Sequence, residues 1–223
     1  MNVALILCGG VGNRFGGGLP KQYLPVAGRM CVEYVVRACC EANSVDKVVV
    51  CAAPPYEYLL PLRERYDFDL TPSGAERNGT IRLGIEYIHA HYACEKLAVI
   101  DSARPLTTAA LIDTLMEKLD AYDAAIQCRH LSDALGHYGE QDVDRSQYFS
   151  VQTPECFRFD VFYRYFREEF PATCLLNHLP LEASRFLYFD FINNLKMTYP
   201  EDIDFLTYVL EKRRQEGEAA DRA

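Results

Sequence analysis

Short β-branched or aliphatic runs alternate along this chain with longer segments of helical period, and that alternation leaves little choice of architecture. The runs at residues 3–8, 47–51, 97–100, 124–128 and 185–189 each have the length of one buried strand. Residues 32–42, 57–65, 76–91, 108–119, 160–169 and 201–213 read as helices. Pro200 followed by Glu201 and Asp202 marks the start of the last one, with the ring in the first turn and the acids at the positive end of the helix dipole. Strand and helix in turn predict an α/β domain with a largely parallel sheet. A chain of 223 residues has room for one such domain, read here as residues 1–213, and residues 214–223 are polar enough to predict a frayed tail.

Residues 129–150 break the rhythm: they are polar, include Gly136 and Gly139, and have no apolar helical face. They read as an excursion from the sheet, either a β-hairpin arm or a long surface loop. Charge narrows the function classes. With 32 acids against 23 Lys and Arg, the net charge is −9, which argues against a nucleic-acid binder working by counterion release. An anionic ligand must therefore be held by local positive charge. No run has the length of a membrane span, and residues 3–8 are too short for a signal peptide, so no membrane partner and a cytoplasmic address are expected. Nine cysteines without a Cys-x-x-Cys pair suit reduced, buried thiols. His89 and His91 point to different helix faces, and His130, His137 and His178 are expected at the surface.

The first strand runs into Cys8-Gly9-Gly10-Val11-Gly12-Asn13-Arg14-Phe15-Gly16-Gly17-Gly18-Leu19-Pro20-Lys21, with six glycines in ten positions. A backbone that folds so tightly at the end of a central parallel strand can aim several N–H groups at one anion. Arg14 and Lys21 add two positive charges. Neither common phosphate motif fits: the dinucleotide fingerprint needs glycine where Phe15 stands, and the P-loop needs Ser or Thr where Gln22 stands.

These residues resemble the cytidylyltransferases that make CDP-linked sugar alcohols, in Gly9-Gly10-Val11-Gly12-Asn13-Arg14 and again in Pro20-Lys21-Gln22-Tyr23-Leu24-Pro25. The family includes 2-C-methyl-D-erythritol 4-phosphate cytidylyltransferase and ribitol-5-phosphate cytidylyltransferase. Later segments agree. Ser73-Gly74-Ala75-Glu76-Arg77-Asn78-Gly79-Thr80-Ile81 is similar to the family segment that contacts cytosine and ribose at a helix start. Ile100-Asp101-Ser102-Ala103-Arg104-Pro105 is similar to a strand-end motif, with Ile100 where the family usually has His. Gln152-Thr153-Pro154-Glu155-Cys156-Phe157 and Asn194-Leu195-Lys196-Met197-Thr198-Tyr199-Pro200-Glu201-Asp202 match two more.

The resemblance implies a Rossmann-like domain of the nucleotide-diphospho-sugar transferase type with a protruding β-arm at about residues 129–150. It implies transfer of CMP from CTP to a sugar-alcohol phosphate, with Arg14, Lys21 and Lys196 as catalytic cations. Cys8, Gly9, Gly10, Gly12, Gly74, Arg77, Asn78, Thr80 and Ser102 would bind the nucleotide, and Arg104, Ser132, Arg145 and Thr153 the acceptor. Asp101 would hold Mg²⁺, since a hard cation wants oxygen ligands. A homodimer would form through the arm, with Arg145 reaching the neighbour's acceptor phosphate. One departure touches the acceptor: the family has Thr-Asp where this chain has Thr173-Cys174. The favoured acceptor is 2-C-methyl-D-erythritol 4-phosphate. The alternatives are ribitol 5-phosphate, a nucleotidyltransferase with another base or acceptor, and an inactive nucleotide-binding scaffold dimer.

Overall fold

The computed structural model describes residues 1–10, 15, 18–139, 143–190 and 193–220. Five strands stand where the apolar runs predict them: β1 (Asn2–Cys8), β4 (Lys47–Ala52), β6 (Lys96–Asp101), β7 (Ala124–His130) and β9 (Arg185–Tyr188). With β5 (Asp69–Pro72) and β8 (Phe149–Arg158) they form one sheet in the order β5-β4-β1-β6-β8-β7-β9. β5, β4, β1 and β6 are parallel, while β8 runs against both β6 and β7. A small antiparallel pair, β2 (Pro25–Val26) and β3 (Arg29–Met30), turns through Ala27 and Gly28, both at positive φ, as a tight two-residue hairpin requires.

The alternation along β1 builds two core layers. Ala4, Ile6 and Cys8 pack with α1 (Cys31–Glu41) and α4 (Ala109–Lys118), whereas Val3, Leu5 and Leu7 pack with α3 (Arg77–His91) and α5 (Phe159–Tyr165). Gly84 lets α3 lie close to the sheet, because a Cβ there would stand 2.6 Å from the Leu5 side chain. The remaining helices are α2 (Leu60–Arg63), shorter than the predicted 57–65, and α6 (Asp202–Ala220). α6 continues past residue 213 to Ala220, and residues 221–223 of the expected tail lie outside the described residues. Arg213 donates to the Leu106 carbonyl at 3.0 Å, which ties this turn to the domain, and its Lys212–Glu216 pair has helical spacing.

The excursion combines the two alternatives. β7 and β8 pair out to His130 and Phe149, and from Leu131 to Tyr148 the described residues contain no strand, only a short 3-10 turn at Arg145–Gln147. The protruding arm is thus a short hairpin stem carrying an exposed loop. β8 escaped the sequence pattern because Pro154 and Glu155 interrupt its apolar run. The consequence for function lies in the order of strands. The chain leaves β1 for β4 on one side and returns through α3 to β6 on the other, opening a crevice at their carboxyl ends.

Candidate active site

That crevice holds a cavity of about 350 Å³, lined by Gly9 and Gly10 after β1, Lys21 and Gln22, Gly74 to Arg77, Asp101 and Ser102 at the end of β6, and Lys196. Thr80, Phe15 and Thr198 complete its wall. The loop after β1 is braced by Gln22, whose amide donates to the carbonyls of Cys8 at 3.0 Å and Gly10 at 2.8 Å. Glycine is required at two close approaches. A Cβ on Gly9 would meet Ser73 at 2.4 Å, and one on Gly74 would meet the Gly79 backbone at 2.6 Å. Thr80 closes the second turn by accepting the Gly74 N–H at 3.1 Å and donating to the Glu76 carbonyl at 3.0 Å.

Asp101 is the centre of charge. Its Oδ2 lies 2.9 Å from Lys196 Nζ and 3.4 Å from Arg104 Nε, and its Oδ1 lies 3.6 Å from Arg77 Nε. Burial pushes the carboxyl up, but Lys196, Arg77 and Arg104 together outweigh it and hold the group well below the usual carboxylate range. Thr153 fixes the strand end by accepting the Asp101 N–H at 3.0 Å. Lys21 donates to the Met197 carbonyl at 2.6 Å, and Met197 N–H donates to Ala103 at 2.8 Å, so three distant segments are tied at one edge. Asn194 completes the tie, with its amide on Thr107 Oγ1 at 2.9 Å and the Thr153 carbonyl at 2.7 Å.

This donor set does not fit a protein-held metal. Both oxygens of Asp101 face cations, and among the described residues no three His, Cys, Asp or Glu side chains are placed to share an ion. A divalent ion on Asp101 would meet three positive charges, so the expected metal ligand is instead an anchor for cations.

Of the predicted site residues, Gly9, Gly10, Lys21, Gly74, Arg77, Thr80, Asp101, Ser102 and Lys196 converge on the cavity. Gly12 and Arg14 lie outside the described residues. The others take different places. Cys8 points into the core beneath the loop, where burial pushes its thiol up to about 11. Arg104 is buried against Asp101 and the Asn194 carbonyl, so it braces the floor instead of clamping a ligand. Thr153 is likewise behind the wall. Asn78 ties the start of α3 to the carbonyls of Glu168 and Phe170 at 3.3 and 2.8 Å. Ser132 and Arg145 meet each other on the exposed loop, where Arg145 donates to the Ser132 carbonyl at 2.6 Å, away from the cavity of this chain. His178, expected at the surface, is buried with its ring stacked on Phe166.

Three residues escaped sequence reasoning. Gln22 was legible as the neighbour of Lys21, but a loop brace leaves no charge signature. Thr198 is a small polar residue in a matched motif. Glu155 had a signal, an acid inside the run Thr153-Pro154-Glu155-Cys156-Phe157, and it proves to be 1% exposed.

A family model described as 2-C-methyl-D-erythritol 4-phosphate cytidylyltransferase matches residues 2–176. The enzyme of that name from Porphyromonas gingivalis is 30% identical over 93% of this chain and 96% of its own length. A bifunctional enzyme IspD/IspF from Granulibacter bethesdensis is 29% identical over 90% of this chain, which spans 54% of that enzyme's length. The 4-diphosphocytidyl-2C-methyl-D-erythritol synthase structure from Anaerococcus prevotii superimposes with a TM-score of 0.78 over 94% of this chain and 96% of the other, and at 19% identity it speaks to the fold.

Proposed function

The chain belongs to the 2-C-methyl-D-erythritol 4-phosphate cytidylyltransferase family, and from that premise we propose that it transfers CMP from CTP to 2-C-methyl-D-erythritol 4-phosphate with release of pyrophosphate. The observation that carries the reading is the meeting of Lys21, Arg77 and Lys196 beside a glycine-built loop at the carboxyl ends of β1 and β6. An acceptor phosphate oxygen forms a bond to the α-phosphorus of CTP. The bond from that phosphorus to its bridging oxygen breaks, and the electron pair leaves with pyrophosphate. A phosphate monoester is already anionic near neutral pH, so the reaction needs no strong base. Its barrier lies in bringing two polyanions together and in the charge that develops on the α-phosphate.

Lys21 and Lys196, with Arg14 from the loop, supply that neutralisation. Amides at Gly9 and Gly10 hold the triphosphate, and Gly74, Thr80 and Ser102 face the nucleoside. A divalent cation would enter with the triphosphate, whose own oxygens are hard donors. The Thr173-Cys174 departure keeps ribitol 5-phosphate as the alternative acceptor. A cytoplasmic enzyme suits soluble substrates of this kind, and no described helix is long and apolar enough to cross a membrane.

A homodimer would let Arg145 serve the neighbour's acceptor phosphate. Mixing and re-assembling Lys21→Ala with Arg145→Ala subunits tests this: action across the interface restores about one quarter of wild-type activity, because one site in each mixed dimer is intact. No recovery would place Arg145 outside the neighbour's site. The nucleotide assignment is tested by following pyrophosphate release from CTP, UTP, ATP and GTP with the acceptor present. Release from CTP alone supports it, and equal release from a purine nucleotide refutes it.

A further inference from the structure

Glu155 is a carboxylate buried in the sheet, on β8 opposite Val99 of β6, and it does not line the cavity. Its Oε2 accepts the Leu175 N–H at 2.8 Å, and its Oε1 lies 3.4 Å from Nη2 of Arg77. The guanidinium of Arg77 is occupied on every edge: Nη2 faces Glu155, Nη1 donates to the Thr173 carbonyl at 3.0 Å, and Nε faces Asp101 at 3.6 Å. Burying a carboxylate is costly unless it is paired, and here the pairing joins the sheet interior to the cavity wall.

Resting on the function proposed above, we propose that Glu155 is a positioning residue for CMP transfer, holding Arg77 stretched between two carboxylates so that Asp101 keeps Oδ2 for Lys196 and Arg104. With Asp101 as its sole anionic partner, Arg77 would close onto it and compete with Lys196 for the same oxygens. Glu155 prevents this by pulling from the opposite side, and its second oxygen holds the turn at Leu175, which carries the Thr173 carbonyl that fixes the third edge. Burial pushes the Glu155 carboxyl up to about 7 against the lowering effects of Arg77 and the Leu175 N–H. The groups around it are Arg77 from α3, Asp101 at the end of β6, Arg104 just beyond, and the thiols of Cys128, Cys156 and Cys174. Its hold on Arg77 is therefore strongest on the alkaline side of neutrality.

The test compares Glu155→Gln, which keeps an oxygen acceptor, with Glu155→Met, which keeps the length and loses every acceptor. Both are assayed for CMP transfer and, without acceptor, for CTP binding by calorimetry, so failure of the acceptor assignment leaves the second readout standing. Glu155→Gln is expected to stay within about 3-fold of wild type, and Glu155→Met to lose about 10-fold in kcat/KM. In an Arg77→Met background the Glu155→Met loss should vanish, the non-additivity expected of a residue acting through another. If Glu155→Met melts below the assay temperature, Glu155→Leu replaces it. An apolar variant as active as Glu155→Gln, or losses that add with Arg77→Met, would overturn the proposal.

Discussion

Lys196 and Asp101, 95 residues apart in the chain, meet with Nζ 2.9 Å from Oδ2, and this contact joins the last loop of the domain to the end of the central strand β6. Asp101 is 7% exposed and Arg104 8%, so the acid is buried with one of its three bases, while the Arg77 and Lys196 side chains remain 27% and 38% exposed.

Replacing the acid should therefore cost both function and stability. Asp101→Asn leaves Arg104 and its neighbours uncompensated, and breaking a buried pair in this way costs about 3–5 kcal/mol. The pH dependence carries a definite sign. Because the folded value of Asp101 is depressed below 3.8, its stabilisation is present above that pH and is lost as pH falls through the folded value. Urea melts of wild type and variant should differ most at neutral pH and converge in acid.

Lys21→Ala should cut CMP transfer by roughly 10²–10³ while the protein stays folded, since a positioned charge at the reacting phosphates is lost together with its contact to the Met197 carbonyl. Turnover measured beside the melting curve checks this. Near-normal turnover would remove Lys21 from the reaction.

Glu155 predicts the opposite pH slope from Asp101. Its folded value is raised from 4.5 to about 7, so across that window the folded state holds more protons than the unfolded chain and stability falls as pH rises. Glu155→Gln removes the slope. By about pH 8 the variant should have gained up to about 3 kcal/mol on wild type relative to the same comparison in acid.

The two glycines that open the loop should behave differently. A Cβ on Gly9 meets Ser73 at 2.4 Å, whereas one on Gly10 meets nothing within 4 Å. Gly9→Ala should destabilise by about 1–3 kcal/mol, as overpacking does, and Gly10→Ala should change the melting temperature little.

Much of this site was legible in the sequence because its cations sit at strand ends and in loops bounded by Gly and Pro, which read as punctuation. Lys21 was read from that loop, whereas Asp101 and Lys196 were reached through the motifs that resemble the family's. What stayed hidden were directions. Nothing in the order of residues separates Arg77, which faces the cavity, from Arg104, which turns inward to the Asn194 carbonyl. In the fold, β8 was obscured by Pro154 and Glu155, the second of which is the acid behind Arg77. α6 continues to Ala220 through a stretch whose polar composition hid it, with Arg213 inside the helix donating to the Leu106 carbonyl.

The most direct test of the central claim sets two acceptors side by side, 2-C-methyl-D-erythritol 4-phosphate and ribitol 5-phosphate, each with CTP and Mg²⁺, and follows the CDP-alcohol product by phosphorus NMR. The account predicts a much higher kcat/KM with the methylerythritol phosphate and stoichiometric pyrophosphate. Preference for ribitol 5-phosphate, or no product with either acceptor, would contradict it.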